Sequence, residues 1–282
     1  MNVVYSRLAT PTVPESPNYW QYFGSRLAEH ACIPQGATVL DIGTGPGSVL
    51  IPAAKKVDIH GLGIGVDLDF GWFKHVLPDV QKHNLRNTAL AQMDATSLAI
   101  VNGKIDCVLC GFLGWDYCFN FFKMQFTGPD VRLSEITRVL KNGGWVGISS
   151  WEMQEDLDWL GEHFQRHFPA YAAGQKKEAG NILIVYSKEN AKGLERILRD
   201  GGYRDVEIIT ETAEFVSTNE EEWWGQVWGA GWWEHLDRVA RMNANKFGQF
   251  KEQVFENLQQ KRHNDGIHFS KTVFYALGKK QI

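Results

Sequence analysis

A basic surplus, a long apolar run, clustered cysteine and internal repetition are all missing from this chain of 282 residues. Lysine and arginine number 29 against 33 acids, a formal net charge of −4, so the global positive field that nucleic-acid binding relies on is absent and no nucleic-acid partner is expected. No apolar stretch reaches the ~20 residues that span a bilayer. The opening MNVVYSRLATPTVPESP also lacks the basic-then-apolar order of a secretory leader. The expectation is a cytoplasmic protein without a membrane span. Cysteine is confined to Cys32, Cys107, Cys110 and Cys118. Cys107 and Cys110 share a CxxC spacing, but inside the strand-like IDCVLCG, where alternation sends them to opposite faces and denies them a common metal. They read as reduced thiols packed as small hydrophobes, with no metal site.

Glycine, by contrast, is concentrated where it matters. In VLDIGTGPGS, Val39 to Ser48, a short apolar strand ends in Asp41 and is followed by Gly43, Gly45 and Gly47 at alternate positions around Thr44 and Pro46. Glycine tolerates positive φ and lets a ligand lie directly on the backbone, and the helix that follows aims its free N–H groups at that ligand. An acid at the strand end repels a pyrophosphate and attracts an amine. The turn therefore calls for a ligand with a free ammonium group.

Taken in order, TPTVPESP (Thr10 to Pro17) reads as an extended linker and Asn18 as the cap of a helix from Tyr19 to about Cys32. Strands follow at Thr38–Asp41, Gly61–Asp67, Thr88–Met93, Ile105–Gly111 and Trp145–Ser150. Helices lie between them, with Pro78 ending or kinking the third and Gly143-Gly144 stopping the fourth. This alternation indicates a parallel sheet covered by helices on both faces, whose ligands bind at the carboxyl ends of the strands. Asp41, Asp67 and Asp94 fall at three successive such ends, so one ligand could meet all three. Beyond Ser150 the pattern predicts a helix over Gln154–Phe168, another over Asn190–Gly201, strands at Tyr203–Val216 and Ile267–Leu277, and a cap of two helix-like runs over Ser217–Gly266.

The segments VLDIGTGPGS, GVDLD, QMDATSL, KIDCVLCGF, EITRVLKNGGWV and FYALGKK together resemble the class I S-adenosylmethionine-dependent methyltransferases. The pattern is similar to the small-molecule methyltransferases that include the ubiquinone/menaquinone-biosynthesis C-methyltransferases. The resemblance covers most of the chain and the cap only loosely. It implies a Rossmann-like α/β fold: a seven-stranded, mostly parallel sheet with its last strand antiparallel, helices on both faces and a helical cap. The implied organisation is a linker and lid helix over 1–36, an S-adenosylmethionine-binding core over 37–151, and the rest of the sheet over 152–282 with cap insertions at 152–189 and 217–266 in the same domain.

As cofactor the resemblance implies S-adenosylmethionine, with S-adenosylhomocysteine as product. Asp41, Gly43, Thr44, Gly45 and Gly47 would serve its methionine end, with Asp41 near the ammonium. Asp67 would accept both ribose hydroxyls, Leu68 would pack on the adenine, and Asp94 and Ala95 would take the adenine edge. Cys110 and Gly111 would line the methionine moiety through their backbone. Two departures stand out: Asp69 occupies a position where the family commonly has Ser, and HGLGIG is slightly long before the second strand. Asp69 reads as a cap of the next helix. The competing dinucleotide reading needs a third glycine at the position of Ser48, and it keeps a nicotinamide-dependent oxidoreductase as the alternative. A cofactor-binding protein without turnover is a second alternative.

The acceptor is less legible. Methyl transfer from a sulfonium needs alignment and exclusion of water more than an obligatory catalytic group. The fourth-strand exit, CGFLGWDY, lacks the Asn/Asp-Pro-Pro-Tyr of many amino-group methyltransferases of nucleic acids and proteins, which favours a small molecule methylated at O, C or N. Proton acceptors available to such a site are Asp116, the first choice, and His163, His167 and His235. Phe112, Trp115, Trp151, Trp224 and Trp228 are the candidate pocket. The tryptophan-rich EEEWWGQVWGAGWWEHL repeats Trp224, Trp228 and Trp232 every four residues. That stripe is either an aromatic wall for the acceptor or the face that packs the cap onto the sheet. The aromatic helix after Asn18 has a similar choice, between a lid over the cofactor and packing against the cap.

Overall fold

Short apolar runs, each ended by an acid or a glycine, fold into parallel strands that divide two hydrophobic layers. The computed structural model describes residues 5–8, 18–169, 171, 189–228 and 233–281. The proposed linker Thr10–Pro17 and Trp232 lie outside them. The parallel core consists of β2 (Thr38–Ile42), β3 (Leu62–Asp67), β4 (Thr88–Gln92), β5 (Ile105–Gly111) and β8 (Leu140–Gln154), with the ribbon β6 (Phe119–Asn120) and β7 (Gln125–Phe126) between the last two. β9 (Tyr203–Ser217) and β11 (Gly266–Lys280) complete the sheet, β11 running antiparallel to both β8 and β9.

The expected seven strands are therefore present, in the order β4-β3-β2-β5-β8-β11-β9. Two further strands were not expected. β1 (Tyr5–Leu8) adds in parallel to β9, and β10 (Arg262–His263) pairs with β11.

Alternation along the strands assigns the layers. Leu40, Ile42, Val108, Cys110, Val146 and Ile148 point to one face, where α4 (Val131–Val139) and α6 (Ala191–Asp200) bury Leu133, Ile136, Leu194 and Ile197. Val39, Cys107 and Leu109 point to the other, where α1 (Tyr19–His30) and α2 (Leu50–Val57) bury Phe23, Leu27, Ala53 and Val57. Cys107 and Cys110 thus belong to opposite layers, and burial pushes the Cys107 thiol up to about 12. Each fully buried Leu or Phe adds roughly 1.5–3 kcal/mol.

β8, β9 and β11 are each 15 residues long against 5 in β2. At ~3.3 Å per residue the last residues of β8 and β9 and the first residues of antiparallel β11 reach well past the carboxyl edge of the core strands. Because Ser149 pairs with Gly111 at the end of β5, residues 150–154 belong to that extension. On it sits the cap: α5 (Glu155–His167), α7 (Glu220–Val227), α8 (Trp233–Met242) and α9 (Ala244–Leu258), packed around Leu157, Phe164, Trp223, Phe250 and Phe269. α5 is locked to the extension by a buried ion pair, Lys271 to Asp156, whose ammonium lies 4.4 Å from the Tyr19 ring centre. Glu155 adds a contact to Lys261 at 2.7 Å and one to the Ser270 amide at 2.9 Å.

Several local expectations change. Among the described residues the segment between β9 and β11 holds three α-helices rather than two. Pro78 sits inside α3 (Phe73–Lys82), after a 3-10 turn at Phe70–Trp72, instead of ending it. α4 stops at Leu140, where the backbone turns extended, and Lys141–Gly144 form a bulge in β8 rather than a helix stop. α1 packs on the sheet through Phe23 against Trp151 and Phe215, not on the cap.

Candidate active site

The glycine turn is built by β2 and tied to β3. Leaving β2, Gly43 and Gly45 take φ of +70° and +49°, a region closed to most side chains, and Gly47 takes +87°. The amides of Gly43 and Thr44 both donate to the Val66 carbonyl, at 2.9 and 3.0 Å, and the Gly47 amide donates to Thr44 at 2.8 Å. α1 presses on the turn from outside: a Cβ on Gly24 would come within 2.5 Å of the Ser48 carbonyl oxygen.

Asp41 and Asp67 stand on the adjacent strands β2 and β3, and Asp94 follows the end of β4, so the three span two inter-strand spacings or about 10 Å. Asp41 is 1% exposed, beneath the turn. Its Oδ2 accepts the Thr44 hydroxyl at 2.8 Å, while Oδ1 has no hydrogen-bond partner among the described residues. Burial pushes this carboxyl up to about 7, against the pull of the Thr44 hydroxyl and the Leu50 amide.

Asp67, half-buried at the rim, accepts the Gly45 amide at 2.9 Å and the Asp69 amide at 3.0 Å. An ionised carboxylate has about four acceptor positions, so about two remain for incoming hydroxyl donors. Asp69 caps the 3-10 turn by accepting the Gly71 amide at 2.7 Å. Leu68 beside it is 68% exposed, an apolar surface next to the acid. Asp94 is exposed beyond β4, its carboxylate held below the ordinary range by the Thr96 amide and hydroxyl, with half-buried Ala95 following.

A cleft of about 710 Å³ opens above this edge. Gly43, Thr44 and Gly45 form its floor, Gly111 and Phe112 one side, Tyr19 and Trp20 of α1 a second, Trp72 a third, and Glu222, Gly225 and Gln226 of α7 the roof. Asp41 and Cys110 lie under the floor, both buried. Gly47 packs away from the cleft, where a Cβ would meet Val76 at 3.2 Å.

The loop leaving β5 forms one wall of the cleft. Phe112 has φ of +54°, unusual for a side chain of that bulk, and its amide is fixed by the Ser149 carbonyl at 3.1 Å. Its ring stacks on Trp151, 4.4 Å away at 22°, and meets Trp20 edge-on at 5.2 Å. Arg132 lies 3.7 Å over the Tyr117 ring and donates to the Gly114 carbonyl at 2.6 Å. Buried Glu189 accepts the amides of Trp115 and Asp116, the latter at 3.1 Å, and the Ser150 hydroxyl. The loop is thus held by its carbonyls from one side and its amides from the other. Burial raises the Glu189 carboxyl despite these donors.

Other candidates lie elsewhere. Trp115 is fully buried in the layer beneath the loop, and Trp151 lies behind Phe112. Trp224 packs within the cap against Phe247, Phe250 and Phe255, and Trp228 belongs to the same cluster. The α7 stripe therefore faces the cap core, and the opposite face roofs the cleft. Asp116 is exposed, with its amide turned to Glu189. His163 is buried against Trp159, ring centres 4.3 Å apart, and burial holds it below its ordinary value. His167 bonds Gln253 at 2.6 Å and His235 bonds the Tyr171 hydroxyl at 3.1 Å, both in the cap. None of these acid–base candidates lines the cleft among the described residues. Sequence reasoning passed over Glu189, Arg132, Trp72 and Gln226. Trp20 was noticed only as part of an aromatic helix, and Glu222 only as part of the tryptophan-rich segment.

Residues 39–144 match a family model described as a methyltransferase domain. DauC, an aklanonic acid methyltransferase from Streptomyces sp. (strain C5), is 35% identical over 127 residues, 45% of this chain and 54% of that protein, so the match spans about half of the relative's length. A nocamycin O-methyltransferase from Saccharothrix syringae is 21% identical over 254 residues, covering 86% of this chain and 88% of that one. The YcgJ protein of Bacillus subtilis shares the fold, with a TM-score of 0.54 at 16% identity over 93% of this chain and 99% of its own. The segment from the first core strand to the β8 bulge thus matches a methyltransferase domain, carried in a sheet of the order β4-β3-β2-β5-β8-β11-β9.

Proposed function

We propose that the chain transfers a methyl group from S-adenosylmethionine to a small organic acceptor. The observation that carries this reading is Asp67: a carboxylate at the end of β3 that already fixes the glycine turn through the Gly45 amide and keeps acceptor capacity for two ribose hydroxyls. The rest of the carboxyl edge fits the same ligand. Gly43, Thr44, Gly45 and the backbone of Cys110 and Gly111 would hold the methionine portion, with the unsatisfied Asp41 Oδ1 beneath a cationic ammonium. Exposed Leu68 would cover the adenine, and Asp94 with the Ala95 amide would meet its edge.

When bound, the cofactor supplies an electrophilic methyl group on a sulfonium. The protein's part is to align and to exclude water. The fixed Phe112 ring, Trp20 and the α7 roof do the second, and the doubly anchored β5 loop does the first. The names of the two curated relatives support a small organic acceptor, and the one named an O-methyltransferase favours oxygen. Ser48, where a dinucleotide fold needs its third glycine, weighs against the oxidoreductase reading.

Titration calorimetry with S-adenosylhomocysteine tests this. The wild type should bind, and Asp67→Ala should lose about a hundredfold in affinity, since each hydrogen bond to a charged acceptor is worth about 1.5–3 kcal/mol. Absence of binding to the wild type would sink the proposal.

A further inference from the structure

The α7 roof contains a glycine with no structural reason to be one. Gly225 is the sixth of eight residues in α7, where glycine destabilises a helix relative to alanine. The usual compensation is close approach of another element, but among the described residues a Cβ built on Gly225 meets no atom within 4 Å, its own helix backbone aside. Its neighbours on the helix sort cleanly: Trp223, Trp224 and Val227 are buried in the cap, whereas Glu222, Gly225 and Gln226 line the cleft. Among the described residues the missing side chain therefore leaves its space in the cleft.

Facing that space are Tyr19, Trp20 and Phe112. Their rings are locked at 5.3 Å (Tyr19 to Trp20) and 5.2 Å (Trp20 to Phe112), and Phe112 is backed by Trp151. A wall whose rings are already immobilised gains contact with an aromatic guest at little cost in ordering. The polar groups on the roof are the Glu222 carboxylate, held by the Thr218 amide at 2.7 Å, and the Gln226 amide. From these positions we infer that Gly225 is the specificity-determining position of the acceptor slot. The acceptor is a flat aromatic ring system carrying a hydroxyl, its body against Trp20 and Phe112 and its polar edge toward Glu222 and Gln226. This inference deepens the methyltransferase reading and rests on it for the word acceptor, but the slot is testable without the donor.

Binding of 2-naphthol and of its saturated counterpart 2-decalol is measured by calorimetry, with and without saturating S-adenosylhomocysteine, on wild type, Gly225→Ala and Gly225→Leu. Wild type should bind 2-naphthol at least about tenfold more tightly than 2-decalol. Gly225→Leu should weaken 2-naphthol by about tenfold or more and Gly225→Ala by less, with S-adenosylhomocysteine affinity kept within about twofold in both. Equal binding of the two probes, or no binding of 2-naphthol, overturns the aromatic acceptor. Unchanged 2-naphthol affinity in Gly225→Leu overturns the role of Gly225, as does loss of both ligands in Gly225→Ala, a substitution that favours the helix. If 2-naphthol binds as expected but S-adenosylhomocysteine does not, the donor reading fails and the slot stands.

Discussion

Asp41 offers a test of the cofactor edge that needs no acceptor. Its carboxyl is fully buried under the glycine turn, and burial lifts its pKa from the ordinary 3.8 to about 7. The folded protein therefore holds a proton there that the unfolded chain has already released. For a carboxyl raised in this way the sign is the reverse of the usual acid: stability is highest below pH 4, falls as pH rises between the two pKa values, and stays at its reduced level above about 7. The distance from 3.8 to about 7 is worth about 4 kcal/mol at alkaline pH. Asp41→Asn keeps the shape and removes the titration, so its stability relative to wild type should improve by about 2–3 kcal/mol between pH 5 and pH 8. At roughly 2 °C per kcal/mol for a chain of this size, the gap in Tm should widen by about 5 °C.

Thermal denaturation of both proteins at pH 5, 6, 7 and 8 reads this directly, because titrations elsewhere cancel in the difference. A gap that does not change with pH would refute the reasoning, since it would mean that Asp41 is ionised in the folded state at pH 5 and that burial does not govern it. Repeating the series with S-adenosylhomocysteine adds a second reading. An ammonium beside the carboxylate restores the charged form, so the gap should narrow. A gap of unchanged size would move the ammonium away from Asp41.

Two further outcomes are expected. Lys271→Met leaves Asp156 buried and unpaired, with side chains of the pair only 2% and 5% exposed, and should cost about 3–5 kcal/mol in urea denaturation. Lys271→Met with Asp156→Leu should recover most of it, and a double variant no better than the single one would contradict the pairing. Arg132→Lys loses the stacking on Tyr117 and the fork to the Gly114 carbonyl. It should raise the acceptor KM severalfold, by about 1 kcal/mol, while S-adenosylhomocysteine affinity measured by calorimetry holds.

What the sequence made legible was local. The acids at strand ends could be placed because a short strand and the acid or turn that closes it are one continuous signal, and Asp41, Asp67 and Asp94 fall at or just past the ends of the consecutive strands β2, β3 and β4. Asp69 could be read as a cap for the same reason, since its partner is two residues away. The acceptor side failed for the opposite reason. A four-residue tryptophan repeat says that one face of α7 is buried, but not against what, and the burial turned out to be internal to the cap. The informative face was the polar one, Glu222 and Gln226 around Gly225. Glu189 could not have been found by spacing at all: its partners Trp115 and Ser150 lie 74 and 39 residues away and meet it only through the fold. β1 pairs with a strand about 200 residues further along, with only a short edge run to announce it.

This asymmetry follows from how the cleft is assembled. Its floor comes from residues 43–45, with Asp41 beneath them and Asp67 beside them, all inside the segment 39–144 that matches the methyltransferase model, and is made largely of backbone and of acids that also hold the turn. Such a floor tolerates little substitution, because changing Gly43 or Asp67 alters the fold of the turn as well as the ligand contact. The walls and roof come from α1, from Trp72, from Gly111 with Phe112 and from α7, and α1 and α7 lie outside that segment; α7 reaches the cleft because the long β8, β9 and β11 carry the cap past the carboxyl edge. Wall residues such as Trp20, Gly225 and Gln226 hold no turn in place, so they can change without disturbing the floor. Under the proposed function donor and acceptor recognition are thereby physically separable, and a match that leaves out α1 and α7 leaves the acceptor to be read from Gly225 and the rings it faces.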